Sequence, residues 1–262
     1  MGIKLDNRVA VVTGGASGIG RGTVLAFAGA GAAVAVWDLA EEAGQALVSE
    51  IRDNDGKAAF FKVNVAVQAD VEAATAATIE RFGKIDILVN NAGITRDGLF
   101  VRVKEGQLAG KMSESDFDAV IGVNLKGVFN CTQAIVPGMI MQGYGRIINA
   151  SSIVGQYGNF GQTNYVAAKA GVVGLTKVWA RELGKRGITA NAIRAGVTDT
   201  PALRKIPGSD VLLDGARARN PAGRLTTPED VARALIALAS PDTYWLTGNV
   251  LNVDGGEEIT AG

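Results

Sequence analysis

The stretch "TGGASGIG" (13–20) lies between an apolar, β-branched run, "RVAVVTG" (8–14), and a helical pattern, "GRGTVLAFAGAG" (20–31). A glycine-rich turn between a strand and a helix lets the backbone approach a ligand closely, because glycine has no side chain. The helix that follows directs its positive N-terminus at the turn, which favours an anion such as a pyrophosphate. An ordinary strand-to-helix turn can also be glycine-rich, so the stretch takes its meaning from the rest of the chain.

The same strand-then-helix order recurs along the chain. Seven short runs are predicted to be strands, at 8–14, 33–38, 58–65, 85–93, 145–152, 188–196 and 249–256. Several of them are almost continuously apolar, as expected of strands that are covered on both faces. The alternation predicts an α/β fold, a doubly wound Rossmann-type parallel seven-stranded sheet with helices on both faces. No linker or internal repeat interrupts it, so we expect residues 1–262 to form a single domain.

Composition excludes several classes of function. The 262 residues carry 26 Lys and Arg against 26 Asp and Glu, so no net charge attracts nucleic acid or an anionic membrane. No apolar run reaches the roughly 20 residues of a membrane span, and the N-terminus lacks a leader pattern, which predicts a cytoplasmic protein. A lone cysteine, Cys131, excludes a disulfide framework and a multi-cysteine metal site. We expect no metal.

The chain contains no histidine, which excludes Ser-His-Asp hydrolysis and most catalytic zinc sites. Any catalysis must use Tyr, Lys, Ser, Cys, a carboxylate or a bound cofactor. "NYVAAKAG" (164–171) puts Tyr165 and Lys169 four residues apart, on one face of a predicted helix. The pair is a candidate catalytic centre, and a core or surface pair is the plain alternative.

Ligands of doubly wound sheets bind beyond the carboxyl ends of the strands. Polar or small residues follow nearly every predicted strand: Thr13 and Gly14, Asp38, Asn64, Asn90 to Gly93, Ser151 and Ser152, and Gly196 to Thr198. Packing alone explains this recurrence poorly. The sequence therefore predicts a ligand site along this edge of the sheet.

Asp38 ends the second predicted strand, 18 residues after Gly20. Its carboxylate can accept hydrogen bonds from ribose hydroxyls. It also repels a 2′-phosphate, by about 4 kcal/mol per unit charge at about 4 Å and an effective dielectric of about 20. No Arg or Lys lies within "GGASGIG" (14–20), although Arg21 follows it. The sequence thus favours NAD(H) over NADP(H), with a solvated strand-end acid as the alternative.

Five motifs occur together: "TGGASGIG", "NNAG" (90–93), Asn124, "SS" (151–152) and "YVAAK" (165–169). In this order and spacing the chain resembles the short-chain dehydrogenase/reductase family over essentially its whole length. A Tyr-x-x-x-Lys pair alone is common by chance, whereas five motifs in register are specific. The resemblance implies an NAD(P)-dependent oxidoreductase acting on CH–OH groups, an alcohol dehydrogenase or ketone reductase.

By this resemblance Tyr165 is the acid/base, and the Lys169 ammonium lowers its pKa. An ammonium about 5 Å away contributes roughly 3 kcal/mol at an effective dielectric of about 20. Ser152 holds the substrate oxygen, whereas strand alternation turns Ser151 the other way. Asn124 positions a water that links Lys169 to solvent, or serves as a structural hydrogen-bonder.

The resemblance also implies the cofactor contacts: Gly14, Ser17, Gly18, Ile19, Gly20, Asp38, Asn64, Val65, Asn91, Ala92, Gly93, Tyr165, Lys169, Thr198 and Thr200. Three features depart from the family pattern. Asn64 replaces an aspartate, and Ala195-Gly196 replaces Pro-Gly, which makes that turn less rigid. The segment 94–117 is about nine residues longer than usual, and loops of such length are often functional.

The substrate is expected to bind beneath a mobile lid at about 198–230. Apolar lid residues either contact an apolar substrate or pack the lid down: Leu203, Ile206, Val211, Leu212 and Leu213. A small-molecule secondary alcohol or ketone is the favoured substrate, and a 3-oxoacyl thioester on acyl carrier protein or CoA is the alternative. Carrier-protein reductases of this family commonly use NADPH and basic residues before the fifth strand. Asp38 opposes the first feature, and "QGYG" (142–145) supplies no base before Arg146.

A dinucleotide-binding sensor without turnover is a further alternative from a different class. Such a protein could lose Ser152, Tyr165 or Lys169, and this chain has all three. Relatives in the family are usually tetramers that pair the helices carrying Asn124 and Tyr165. The resemblance therefore implies a homotetramer.

Overall fold

The computed structural model describes residues 2–205 and 208–260, and only the backbone of Ala202. The strands are β1 (Val9–Thr13), β2 (Ala33–Asp38), β3 (Lys57–Lys62), β4 (Ile87–Asn90), β5 (Val101–Lys104), β6 (Gln107–Lys111), β7 (Gly145–Ser152), β8 (Ile188–Ala195) and β9 (Val250–Val253). The helices are α1 (Gly18–Gly29), α2 (Glu41–Asp53), α3 (Gln68–Phe82), α4 (Glu114–Ile121), α5 (Gly127–Gln142), α6 (Val154–Tyr157), α7 (Thr163–Leu183), α8 (Pro201–Arg204), α9 (Ser209–Arg219), α10 (Pro228–Ala239) and α11 (Glu257–Thr260).

Seven strands form one parallel sheet in the order β3-β2-β1-β4-β7-β8-β9. The strand order reverses between β1 and β4, which opens a crevice at the carboxyl ends of these strands. Helices α1, α2 and α10 cover one face of the sheet through residues such as Phe27 and Leu235. Helices α3, α5 and α7 cover the other face. The predicted doubly wound seven-stranded fold is confirmed.

A chain of buried amides fixes the centre of the sheet. Asn90 on β4 donates to Thr132 on α5 at 3.1 Å and to Asn149 on β7 at 2.8 Å. Asn149 in turn donates to Thr176 on α7 at 2.9 Å. Because buried amides must be paired, these bonds favour one register of β4 against β7 and one position of α7 on the sheet.

One helical stretch among the described residues, Glu114–Gln142, is long and apolar enough by composition to cross a membrane. Of the 18 most apolar consecutive residues in this stretch, 44% are buried within the fold. Cys131, Ile135 and Met139 from this stretch pack in the apolar cluster on one face of the sheet. Packing within the domain thus accounts for its apolar character.

Strands β3 and β4 are shorter than the sequence predicts, ending at Lys62 and Asn90 instead of at positions 65 and 93. After β3 the side chain of Asn64 accepts from the backbone N–H of Ala66, and after β4 the side chain of Asn91 donates to the glycine-rich turn. The segment 94–117 also differs from the expected loop, since β5 and β6 form an antiparallel hairpin within it. This hairpin is almost entirely exposed.

The predicted lid contains two helices, α8 and α9. Leu213 is buried and packs with Leu203 in a small apolar cluster, whereas Val211 is 79% exposed and Leu212 is 45% exposed. Ile206 lies outside the described residues. Leu203 and Leu213 therefore pack the lid down, which is one of the two roles expected for these apolar residues, the other being contact with an apolar substrate.

Two glycines of α1 provide a matched test of the turn. A Cβ on Gly20 would lie 1.9 Å from the carbonyl oxygen of Gly14, whereas a Cβ on Gly29 meets no atom of the described residues within 4 Å. We expect Gly20→Ala to destabilise the protein by about 1–3 kcal/mol through overpacking. Gly29→Ala should be neutral or stabilise it by up to about 1 kcal/mol. Urea denaturation measures both, and equal free energies of unfolding in the two variants would contradict this account.

Candidate active site

The glycine-rich turn is held against the end of β4 by side chains. Asn91 donates from Nδ2 to the carbonyl oxygens of Thr13 and Gly14, both at 3.1 Å. The hydroxyl of Thr13 accepts from the backbone N–H groups of Asn91 and Ala92, both at 3.0 Å. These contacts bring "TGGASGIG" and "NNAG" together, as the sequence predicts. Asn91 thus stabilises the turn through its backbone carbonyl groups.

The turn has the space and polarity that a pyrophosphate requires. Gly14 and Gly18 have positive φ angles of 62° and 52°. Ser17 precedes α1 without a side-chain capping bond, and the first turn of this helix carries no acidic residue. The N–H groups at this helix end therefore remain available to an anion. Ile19 packs against the apolar core beneath the turn.

Asp38 joins the turn to the end of β2. One carboxylate oxygen accepts from the backbone N–H of Ala16 at 2.9 Å, and the other accepts from that of Ala40 at 3.0 Å. These bonds give Asp38 a structural role that the sequence analysis did not include. The side chain is only partly buried, and each oxygen retains capacity for a second hydrogen bond. Asp38 can thus still bind a ribose hydroxyl.

The residues after β3 form the outer wall of the crevice. The amide oxygen of Asn64 accepts from the backbone N–H of Ala66 at 3.1 Å. Val65 is buried, and its carbonyl oxygen accepts from Asn130 on α5 at 2.9 Å. Asn64 therefore reproduces the acceptor that an aspartate would provide, and Val65 fixes the wall to α5.

Asn124 lies in a π-helical turn, Gly122–Lys126, between α4 and α5. Its side chain is fully buried and accepts from the backbone N–H of Ile94 at 2.8 Å while donating to the Ile94 carbonyl at 2.9 Å. A Cβ added to Gly93 would lie 3.5 Å from the Asn124 oxygen and 3.7 Å from Lys169 Nζ. Asn124 thus makes structural hydrogen bonds, which is one of the two roles that the sequence analysis gave it. Turns of this kind are frequent at functional sites.

Lys169 is buried on α7, and its ammonium donates to the carbonyl oxygen of Ala150 on β7 at 2.7 Å. Burial lowers the pKa of Lys169 to about 8. Nζ lies 5.6 Å from the centre of the Tyr165 ring. The structure thus brings the predicted pair together, with Lys169 buried and Tyr165 partly buried.

The pKa of Tyr165 differs from the sequence-based expectation. Burial raises it to about 12, and interaction with the hydroxyl of Ser152 acts in the opposite direction. The expected lowering by Lys169 concerns the enzyme with its nicotinamide cofactor bound and stays a prediction. In the protein without cofactor, burial is the larger influence on the pKa of Tyr165. The phenol is therefore protonated at neutral pH.

Ser151 and Ser152 at the end of β7 have separate roles. Ser152 is partly buried and faces Tyr165, whose pKa it lowers. Ser151 is buried, and its hydroxyl donates to the carbonyl oxygen of Lys169 at 2.8 Å. The two serines do diverge, as strand alternation predicts, but Ser151 supports α7 at the position of the lysine.

The mouth of the site is built by the long insertion. Asn164, which is fully buried, donates to the carbonyl oxygens of Arg96 at 3.0 Å and Asp116 at 3.2 Å. Its own oxygen accepts from the backbone N–H of Tyr165 at 2.7 Å. A cavity of about 310 Å³ opens beside these residues, lined by Thr95, Arg96, Asp97 and Asp116. The insertion thus contributes a polar wall next to Tyr165.

Thr198 and Thr200 follow β8. Thr198 forms an isolated parallel bridge with Thr226, and a Cβ added to Gly18 would lie 3.3 Å from the Thr200 methyl. The carboxylate of Glu257 on α11 accepts from the backbone N–H of Val197 at 2.9 Å. The turn that lacks the usual proline is therefore held by a buried side chain.

Sequence reasoning missed Asn164, Ser151, Glu257 and the structural role of Asp38. Asn164 carried a signal, since it stands immediately before Tyr165 in the quoted motif. Glu257 carried none, because its contact depends on how the C-terminal segment folds back onto β8.

The comparisons with known proteins agree with this geometry. A family model described as enoyl-(acyl carrier protein) reductase matches residues 14–258. The 3-oxoacyl-(acyl-carrier-protein) reductase FabG of Thermotoga maritima is 46% identical over 254 residues, 97% of this chain and 99% of that protein.

Two further matches extend over almost the whole chain. Subunit BbsD of the hydroxy(phenyl)methylsuccinyl-CoA dehydrogenase of Thauera aromatica is 42% identical over 262 residues, all of both chains. The solved crystal structure of gox2181 is 33% identical with a TM-score of 0.90, covering 98% of this chain and 97% of that one. With the Ser152, Tyr165 and Lys169 site in place, this protein belongs to the short-chain dehydrogenase/reductase family of oxidoreductases.

Proposed function

We propose that the protein transfers a hydride between a nicotinamide cofactor and a 3-oxoacyl thioester, with reduction to the 3-hydroxyacyl thioester as the favoured direction. The observation that carries the proposal is the grouping of Tyr165, Ser152 and Lys169, with Lys169 Nζ 5.6 Å from the centre of the Tyr165 ring. The direction is supported by the name of the Thermotoga relative, a 3-oxoacyl reductase. A protonated phenol can donate its proton to a carbonyl oxygen as that oxygen acquires negative charge.

Each residue has a defined part in this reaction. The nicotinamide, when bound, supplies the hydride that is added to the carbonyl carbon. Tyr165 donates its phenolic proton to the oxygen, and Ser152 hydrogen-bonds the same oxygen as it changes from carbonyl to alcohol. Lys169, held by Ala150, places a positive charge near the phenolate that forms. The phenolate then regains a proton from solvent.

The substrate class rests on the relatives. The Thermotoga protein is named for a 3-oxoacyl group on a carrier protein, and the Thauera protein is named for a hydroxyl-bearing acyl-CoA. Both names describe a thioester, which favours this alternative over the simple secondary alcohol that the sequence analysis preferred. The cavity beside Tyr165 is lined by Thr95, Arg96, Asp97 and Asp116, so a substrate that enters there meets polar groups.

A second, narrower candidate is the interconversion of 3-hydroxyacyl-CoA and 3-oxoacyl-CoA with NAD(H) as the cofactor. Asp38 favours it, because its partly exposed carboxylate would repel a 2′-phosphate. We propose NAD(H) as the preferred cofactor on the same ground. A homotetramer and a cytoplasmic location remain predictions.

The substrate proposal predicts higher kcat/KM for acetoacetyl-CoA or acetoacetyl carrier protein than for a simple ketone such as cyclohexanone.

The cofactor proposal predicts that NADH supports faster reduction than NADPH. The Asp38→Asn substitution should shift the ratio of the two rates towards NADPH by about tenfold or more. Cofactor absorbance at 340 nm measures every combination. A wild-type preference for NADPH would refute the charge argument, and faster reduction of cyclohexanone would refute the thioester proposal.

Removing the phenolic hydroxyl of Tyr165 should lower the turnover rate without weakening cofactor binding. We expect Tyr165→Phe to lower kcat by about 10²- to 10⁴-fold while cofactor affinity changes little. Tyr244→Phe provides the control, because Tyr244 is 64% exposed and outside the site. Turnover of Tyr165→Phe close to that of the control would exclude Tyr165 as the proton donor.

The lowered pKa of Lys169 predicts a pH-dependent stability in the protein without cofactor. Below pH about 8 the folded state carries a buried charge, so Lys169→Met should be at least as stable as the wild type. Between about 8 and the ordinary lysine value of 10.5 the folded lysine loses its proton before the unfolded one, so the wild type gains stability relative to the variant. Thermal denaturation from pH 7 to 10 measures the difference in Tm, and a difference that is independent of pH would contradict the assignment.

A further inference from the structure

A second concave surface lies at the edge of the sheet opposite the active site. This cleft has a volume of about 840 Å³ and is formed at the amino ends of β1, β2 and β3 and before β4. Tyr165 and its neighbours lie beyond the carboxyl ends of the strands. The cleft is therefore separate from the crevice that fits the cofactor.

Five cationic side chains line the cleft: Arg8, Arg52, Lys57, Arg81 and Lys84. A single carboxylate, Asp6, is among its lining residues within the described part of the chain. Over the whole chain, cationic and acidic residues balance at 26 each. The cleft is thus a local concentration of positive charge in a protein with no net charge.

Two of these cations share one partner. Asp86 is buried and pairs with Arg8 at 3.1 Å and with Lys84 at 3.0 Å. Its second oxygen also accepts from the backbone N–H of Val9 at 2.9 Å. One carboxylate cannot neutralise two cations, so a positive charge remains on this wall of the cleft.

Two of the three arginines in the cleft, Arg8 and Arg52, are held in place by contacts within the protein. Arg52 donates from Nε and Nη2 to the carbonyl oxygen of Ala58 at 3.2 and 3.0 Å. The Arg8 guanidinium lies 3.8 Å from the centre of the Tyr144 ring. Each guanidinium has further N–H donors beyond these contacts, and fixed donors bind an anion at a lower entropic cost.

Lys57 and Arg81 complete the cluster from β3 and the end of α3. Within residues 2–205 and 208–260, neither side chain has a carboxylate within ion-pairing distance. Asp53, the last residue of α2, and Asp55, in the turn that follows, are not among the lining residues. These two cations are therefore the ones most able to bind a ligand.

We propose that this cleft binds a small polyanion that carries several phosphate groups. Cations from three separate segments converge on it, and multiple phosphate oxygens can accept from lysine and arginine together. The site is a cleft that is open on one side, so a small ligand can enter it from solvent and reach these cations together. The proposal does not depend on the substrate or cofactor preference argued above.

Inorganic tripolyphosphate is the probe, titrated by calorimetry into the enzyme saturated with its reduced cofactor, so that the cofactor's own pyrophosphate site is occupied. We expect saturable binding of one tripolyphosphate per chain and an increase in Tm. The double variant Lys57→Gln, Arg81→Gln should bind about tenfold more weakly or worse. Both side chains are exposed, so this variant is expected to fold normally.

The matched control is Lys185→Gln, Arg186→Gln, which removes the same two charges from exposed positions just before β8. It should bind tripolyphosphate within about twofold of the wild type, because neither side chain is among the residues that line the cleft. Equal weakening in both variants would overturn the proposal in favour of a general charge effect. Absence of saturable binding to the wild type would also overturn it.

Discussion

The hydrogen bond from the Lys169 ammonium to the Ala150 carbonyl joins α7 to the end of β7, and the geometry of the catalytic site depends on it. It holds Lys169 with Nζ 5.6 Å from the centre of the Tyr165 ring, at the carboxyl end of the sheet. Ser151 reinforces the same junction by donating to the Lys169 carbonyl. Because these groups are buried, their positions and their protonation are determined together.

Burial has opposite consequences for the two titratable groups. It raises the pKa of Tyr165 to about 12 and lowers that of Lys169 to about 8, so at neutral pH the phenol keeps its proton and the lysine is still mostly an ammonium. A protein without histidine can thus keep a proton donor ready for a carbonyl substrate. Positive charge from an oxidised nicotinamide would favour the phenolate instead, which links proton transfer to the state of the cofactor.

The sequence predicted the parallel sheet, the glycine-rich turn and the Tyr165–Lys169 pair because each depends on local spacing that the fold preserves. It did not predict the raised pKa of Tyr165, since burial depends on how α7 packs against β7. The hairpin within 94–117 and the contact between Glu257 and Val197 were missed because they depend on tertiary contacts. Asp38 was found as a cofactor residue, but its bonds to Ala16 and Ala40 required coordinates.

The central claim is that desolvation, and not the neighbouring ammonium, dominates the ionisation of Tyr165 before the cofactor binds. Carbon-13 NMR of the enzyme labelled at tyrosine Cζ, with Tyr165→Phe used to assign the resonance, follows this phenol directly as the pH is raised. We predict that Tyr165 titrates near a pKa of about 12 in the protein without cofactor. A pKa at or below the ordinary tyrosine value of about 10 would contradict the account.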